Sequence, residues 1–216
     1  MNIKILNTEI TKPIEKDTKK IVLFLHGYGA NGADLIGIAD YLKNYLPNTI
    51  FYSPDAPFVC DVNPIGFQWF PLNERTENEI NNGLNDCEPY LDLFVKYILD
   101  LHKLEIKDLA VIGFSQGTIL SLYNFTKRKN ACAGIIAFSG LFFNKFGNMH
   151  KINFPIFLHH GKKDGVINYK FSLNAEKDLK KLGFDVECKI KENLAHGIDE
   201  EAIIDAKEFL LNSFFK

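Results

Sequence analysis

Five apolar runs punctuate the chain without polar interruption. They are residues 21–25 (Ile-Val-Leu-Phe-Leu), 49–53 (Thr-Ile-Phe-Tyr-Ser), 109–113 (Leu-Ala-Val-Ile-Gly), 134–138 (Gly-Ile-Ile-Ala-Phe) and 155–159 (Pro-Ile-Phe-Leu-His). Runs of this kind suit strands buried on both faces, as in a parallel sheet. Residues 184–190 instead alternate polar and apolar, which predicts an edge strand. Helical spacing fills the intervals. Leu35, Ile38, Ala39 and Leu42 predict a helix over 33–45, and Leu91, Phe94, Val95, Ile98 and Leu101 predict one over 88–103. Further helices are expected at 117–127, 169–182 and 200–214. The alternation predicts an α/β fold: a mostly parallel central sheet with helices on both faces, in one domain spanning 1–216. In such sheets ligands sit beyond the carboxyl ends of the strands.

One stretch breaks the rhythm. Residues 54–87 carry Pro54, Pro57, Pro64 and Pro71 and show no clear period, which predicts a long loop on the substrate side. Phe58, Phe67, Trp69 and Phe70 lie within it. They suit either an apolar binding wall or anchors that tie the loop to the core. Trp69, Phe70 and Leu72, with Leu141 after the fourth apolar run, are the candidate substrate contacts.

Composition removes several function classes. Lys plus Arg is 25 and Asp plus Glu is 27, a formal charge of −2, and only Arg75 and Arg128 are arginines. That balance does not suit a nucleic-acid partner. No apolar stretch approaches the ~18 residues of a membrane span. The N-terminal residues lack the apolar segment of a signal peptide. Cys60, Cys87, Cys132 and Cys188 are scattered without a C-x-x-C pair. A cytoplasmic chain with free thiols, no stable membrane insertion and a monomeric or homodimeric state is the expectation.

The chemistry gathers at the ends of the apolar runs. Gly113-Phe114-Ser115-Gln116-Gly117 follows the third run and precedes a helical pattern. This is the strand–turn–helix context of a nucleophile elbow, so Ser115 is the candidate nucleophile. A serine hydroxyl needs a base, and the base a carboxylate, in the chain order Ser, acid, His. His196, between the edge strand and the last helix, is the candidate base. Asp164, directly after the fifth run, is the candidate acid, placed better than Asp185, Glu187 or Asp199. His150 reads as a surface residue, and His159 and His160 as structural or site-lining. An oxyanion hole needs two backbone N–H donors. Gln116, after the serine, supplies one, and Tyr28, in the glycine-flanked loop after the first run, supplies the other. His26 reads as fixing that loop.

Together these motifs resemble the phospholipase/carboxylesterase family of α/β-hydrolases, over roughly residues 20–212. They comprise Leu25-His-Gly-Tyr-Gly29 with Asp34-Leu35, Pro54-Asp-Ala-Pro57, Gln68-Trp-Phe70, the serine motif, Gly161-Lys-Lys-Asp164 followed by Val166, and Ala195-His-Gly197. The resemblance implies Ser115, Asp164 and His196 as a triad, with oxyanion amides from Tyr28 and Gln116. Thr118 stands where the family often has glycine, and Asn168 where it often has proline. The Gln68-Trp-Phe70 version is similar to the bacterial branch. The expectation is a cofactor-free, metal-free serine hydrolase of short- to medium-chain carboxylic esters, with thioesters as further substrates. Its partner would be a small acyl ester. A lysophospholipase or acyl-protein thioesterase acting on longer chains is the nearest alternative, and a non-catalytic hydrolase-like binding protein is the alternative of another class. A metal site at His159, His160 and Asp164 is disfavoured, because neighbouring strand residues point to opposite faces.

Overall fold

The computed structural model describes residues 4–143 and 152–214. His150 lies outside them. The apolar runs become strands of one seven-stranded sheet. In chain order these are β1 (Thr8–Thr11), β2 (Lys20–Leu25), β3 (Thr49–Pro54), β6 (Leu109–Phe114), β7 (Gly134–Phe138), β8 (Pro155–Gly161) and β9 (Asp185–Lys191). They lie in the order β1-β3-β2-β6-β7-β8-β9. All neighbouring pairs are parallel except β1 with β3. The alternating strand β9 is an edge, as its pattern predicts. The other edge, β1, is short and at least half polar, which hid it in the sequence.

The central strands are buried because each face carries its own apolar layer. Ile21, Leu23 and Leu25 of β2 pack with α3 (Glu77–His102), α4 (Gln116–Thr126) and α5 (Lys170–Lys181). Val22 and Phe24 pack on the other face with α1 (Gly32–Ile36), α2 (Ile38–Leu42) and α6 (Glu200–Phe214). Among the described residues, no helix is long and apolar enough to cross a membrane.

Two expectations are corrected. The helix expected over 33–45 is two five-residue helices divided at Gly37. The long loop 54–87 is largely regular. It begins with a hairpin, β4 (Phe58–Cys60) against β5 (Asn63–Gln68), and α3 starts at Glu77, about three turns before the expected 88. Thr76 caps that helix by accepting the Glu79 N–H. Pro89 sits inside it. The added turns are rich in Glu and Asn, and Ile80, Leu84 and Cys87 form too thin an apolar stripe to be seen among them.

Candidate active site

Strand β6 turns into helix α4 through Ser115 alone. Its backbone is held at φ 52°, ψ −112°, a conformation that disfavours any side chain. The turn is clamped: the Ser115 N–H donates to the Phe138 carbonyl (2.9 Å). Close packing requires a glycine two residues on, since a Cβ at Gly117 would lie 1.9 Å from the Leu25 carbonyl oxygen. The positive end of α4 therefore begins directly at the serine. Thr118 hydroxyl reaches the carbonyls of Gly113 (2.8 Å) and Phe138 (2.7 Å), tying the elbow to β7. Its methyl occupies space that Gly140 leaves open.

Asp164 lies in the turn after β8. Backbone bonds from Lys162 to Lys191 (2.7 Å) and from Lys163 to Leu194 (3.0 Å) lash this turn to the loop after β9. That loop carries His196, whose Nδ1 lies 2.6 Å from Asp164 Oδ2. Donation to the carboxylate puts the proton on Nδ1 and leaves the lone pair on Nε2. The Asp164 side chain is fully buried and receives three more hydrogen bonds. Val166 and Ile167 N–H donate to Oδ1 (2.8 and 2.9 Å), and His160 Nε2 donates to Oδ2 (3.0 Å). Burial pushes this carboxyl up, but the hydrogen bonds from His196, Ile167 and Val166 outweigh it and hold it below the usual carboxylate range.

His160 is the partner of Asp164 that sequence reasoning missed. Its Nε2 also lies 2.9 Å from the Ile167 carbonyl, so it carries the proton, and Nδ1 accepts from the Ser172 hydroxyl (2.7 Å). Burial pushes its pKa down, which keeps the ring neutral. The spacing of four between His160 and Asp164 was the only available signal. His159 points the other way, against Phe138 and Phe157, as strand alternation requires. Among the described residues no cluster of metal-ligating side chains forms.

Ser115, Gln116, Tyr28 and His196 border one cavity of about 520 Å³, in the size range of small-molecule sites. Tyr28 and Gln116 donate their backbone N–H to no backbone acceptor in the described turns and loops. The Tyr28 phenol turns to Cys60, and burial followed by that contact pushes it up to about 12. His26 fixes the loop behind Tyr28. Its Nδ1 donates to the Gly27 carbonyl (2.7 Å), and its Nε2 accepts the Ala56 N–H (2.9 Å).

Leu72 and Leu141 line the cavity; Trp69 and Phe70 do not. Both are fully buried, which corrects the expectation of an aromatic wall. They brace the site from behind. The Trp69 indole N–H donates to the His26 carbonyl (2.9 Å), and the ring packs on the His26 imidazole. The Gln116 side chain accepts the Trp69 N–H (2.9 Å) and donates to the Phe70 carbonyl (2.7 Å), as a neighbouring strand would. Ile80, Phe114, Ile119, Val166, Ile167 and Phe171 add to the apolar lining. Ile80 went unrecognised because its helix did.

The family profile described as phospholipase/carboxylesterase matches residues 6–213. Esterase YpfH of Escherichia coli K12 is 27% identical over 196 residues, 91% of this chain and 84% of that protein. Acyl-protein thioesterase 1 of Candida albicans is 27% identical over 219 residues, 90% of this chain and 92% of its own. The crystal structure of esterase PE8 superposes with a TM-score of 0.92 at 31% identity, covering 97% of this chain and 99% of that one.

Proposed function

Since the chain belongs to the phospholipase/carboxylesterase family of α/β-hydrolases and is a serine hydrolase of the esterase type, we propose that Ser115, His196 and Asp164 hydrolyse short- to medium-chain carboxylic esters. The observation that carries this reading is the 2.6 Å His196–Asp164 hydrogen bond beside a serine held at positive φ on the same cavity.

In this mechanism Ser115 Oγ attacks the acyl carbonyl while His196 Nε2 takes its proton. The carbonyl oxygen becomes an oxyanion, and the N–H groups of Tyr28 and Gln116 stabilise it. One such donor contributes roughly 3–4 kcal/mol to the transition state. Asp164 holds the imidazole in the Nδ1–H tautomer and stabilises the imidazolium. The alcohol leaves with the proton from Nε2, and an acyl group remains on Ser115. Water, deprotonated by His196, then releases the acid. A thioester differs only in its leaving group, so the same machinery serves it. Relatives named acyl-protein thioesterase support that extension.

The test is covalent labelling by a fluorophosphonate, with a p-nitrophenyl ester series running from acetate to palmitate. Labelling that vanishes in Ser115→Ala, with rates peaking at short to medium chains, supports the reading. A peak at long chains moves the substrate towards lysophospholipids or acyl-proteins. No labelling of folded wild type refutes the assignment of Ser115.

A further inference from the structure

We propose that Arg75 makes the cavity selective for esters carrying a carboxylate, its guanidinium binding the anionic group while Ser115 attacks the ester carbonyl. This rests on the catalytic reading above and names the substrate class for that site.

The cavity has an uneven electrostatic lining. Arg75 borders it, and no carboxylate among the described residues does. The other lining at Leu72, Ile80, Ile119, Leu141 and Phe171 is apolar, and Arg75 is exposed, so its charge stands at the solvent edge of that lining, where added salt screens it. A cation so placed, in a site otherwise able to take a neutral acyl chain, selects against neutral substrates only if an anion rewards it.

The guanidinium is also uncommitted. It makes no hydrogen bond or ion pair among the described residues, although Glu74, Glu77 and Glu79 are close in sequence. Glu79 is occupied otherwise. Its carboxylate accepts the backbone N–H groups of Asn73 (2.9 Å), Glu74 (3.0 Å) and Arg75 (2.7 Å). That wrapping holds Arg75 at φ 54°, where glycine or asparagine would sit with less strain. A long, cationic side chain kept at a strained position beside a cavity points to use of the side chain.

The choice of cation agrees. The chain has twenty-three lysines and only two arginines. The other, Arg128, uses its fork: Nε donates to Asn124 (2.9 Å), and Nη2 reaches both Asn124 and Asp92. A guanidinium matches a carboxylate with two parallel hydrogen bonds, which an ammonium cannot do. In a chain that so strongly prefers lysine, an arginine on the cavity suits planar recognition of a carboxylate.

The test compares pairs of esters that differ in one carboxylate. Mono-p-nitrophenyl adipate against p-nitrophenyl hexanoate places the carboxylate on the acyl side. Meta-acetoxybenzoate against phenyl acetate places it on the alcohol side. Wild type is expected to favour the anionic member of one pair by about tenfold or more in kcat/KM, an advantage that shrinks as salt is added. Arg75→Gln should abolish the preference, and Arg75→Lys should keep only part of it. Arg75→Gly should also abolish it, and because glycine accepts the backbone conformation, loss of folding cannot explain the result. A wild type that hydrolyses both neutral esters and is labelled at Ser115, yet shows no anionic preference, overturns this inference alone. So does a preference that survives in Arg75→Gln and Arg75→Gly. No hydrolysis of any of the four esters, with no labelling at Ser115, overturns it together with the catalytic reading.

Discussion

Replacing Gln116 by methionine tests how the site is braced. The side chain, 1% exposed, spans two backbone groups 46 and 47 residues away, the Phe70 carbonyl and the Trp69 N–H. Methionine keeps the length of glutamine and offers neither a donor nor a good acceptor. Trp69 and Phe70 are fully buried, so both groups would lose their partners away from water. Each unsatisfied group costs about 1–3 kcal/mol, and the pair about 2–6 kcal/mol. That is a large fraction of the ~5–15 kcal/mol that holds a domain together. Trp69 is the only tryptophan, so its fluorescence during urea unfolding reads the change at the place where it arises. The variant keeps the backbone N–H of residue 116, so the proposed oxyanion donor is retained. The loosened 69–75 segment carries Leu72 and Arg75 on the cavity, so KM should rise more than kcat falls. A variant within about 0.5 kcal/mol of wild type, with unchanged KM, would refute the view that this side chain anchors the segment.

Three further outcomes are expected. Burial lowers the pKa of His26, His159 and His160, all fully buried, so the folded state keeps them neutral while the unfolded chain protonates them below its value near 6.5. Their contribution is present above that value and lost as pH falls below it; urea midpoints that stay flat as pH is lowered through the unfolded value would contradict it. Trp69→Phe should lose about 1–3 kcal/mol by stranding the His26 carbonyl while leaving the acyl-chain profile unchanged, and a shifted profile would restore Trp69 to the substrate wall. Ser115→Gly should raise thermal stability by about 1–3 kcal/mol while abolishing ester hydrolysis, because glycine relieves the strain at φ 52°. A lower melting temperature would show that the elbow is not strained.

Legibility in the sequence tracked the range of the interactions. The five central strands and the serine turn are local statements: an apolar run that must be buried on both faces, then a bend that only small flanking residues allow. The chain order Ser, acid, His came with the elbow arrangement, and Asp164 and His196 were chosen to fill it by where strands end. Contacts among distant residues were not legible in this way. His160 as a second donor to Asp164 needs the turn after β8 to fold back on its own strand, and its fixed tautomer needs Ser172 from α5.

The chain by itself determined the α/β class, the parallel core, the elbow and the residues that candidate chemistry would need, because burial and backbone geometry act over a few neighbouring positions. Tertiary structure alone decided whether an aromatic in an irregular stretch faces substrate or core. Trp69 and Phe70 have the composition of a binding wall, yet hydrogen bonds with His26, just after β2, and with Gln116 of α4 hold them inward and leave Leu72, Leu141 and Arg75 on the cavity. A hydrophobic residue records that it avoids water; which surface it avoids water against is set by the partners that the fold brings to it.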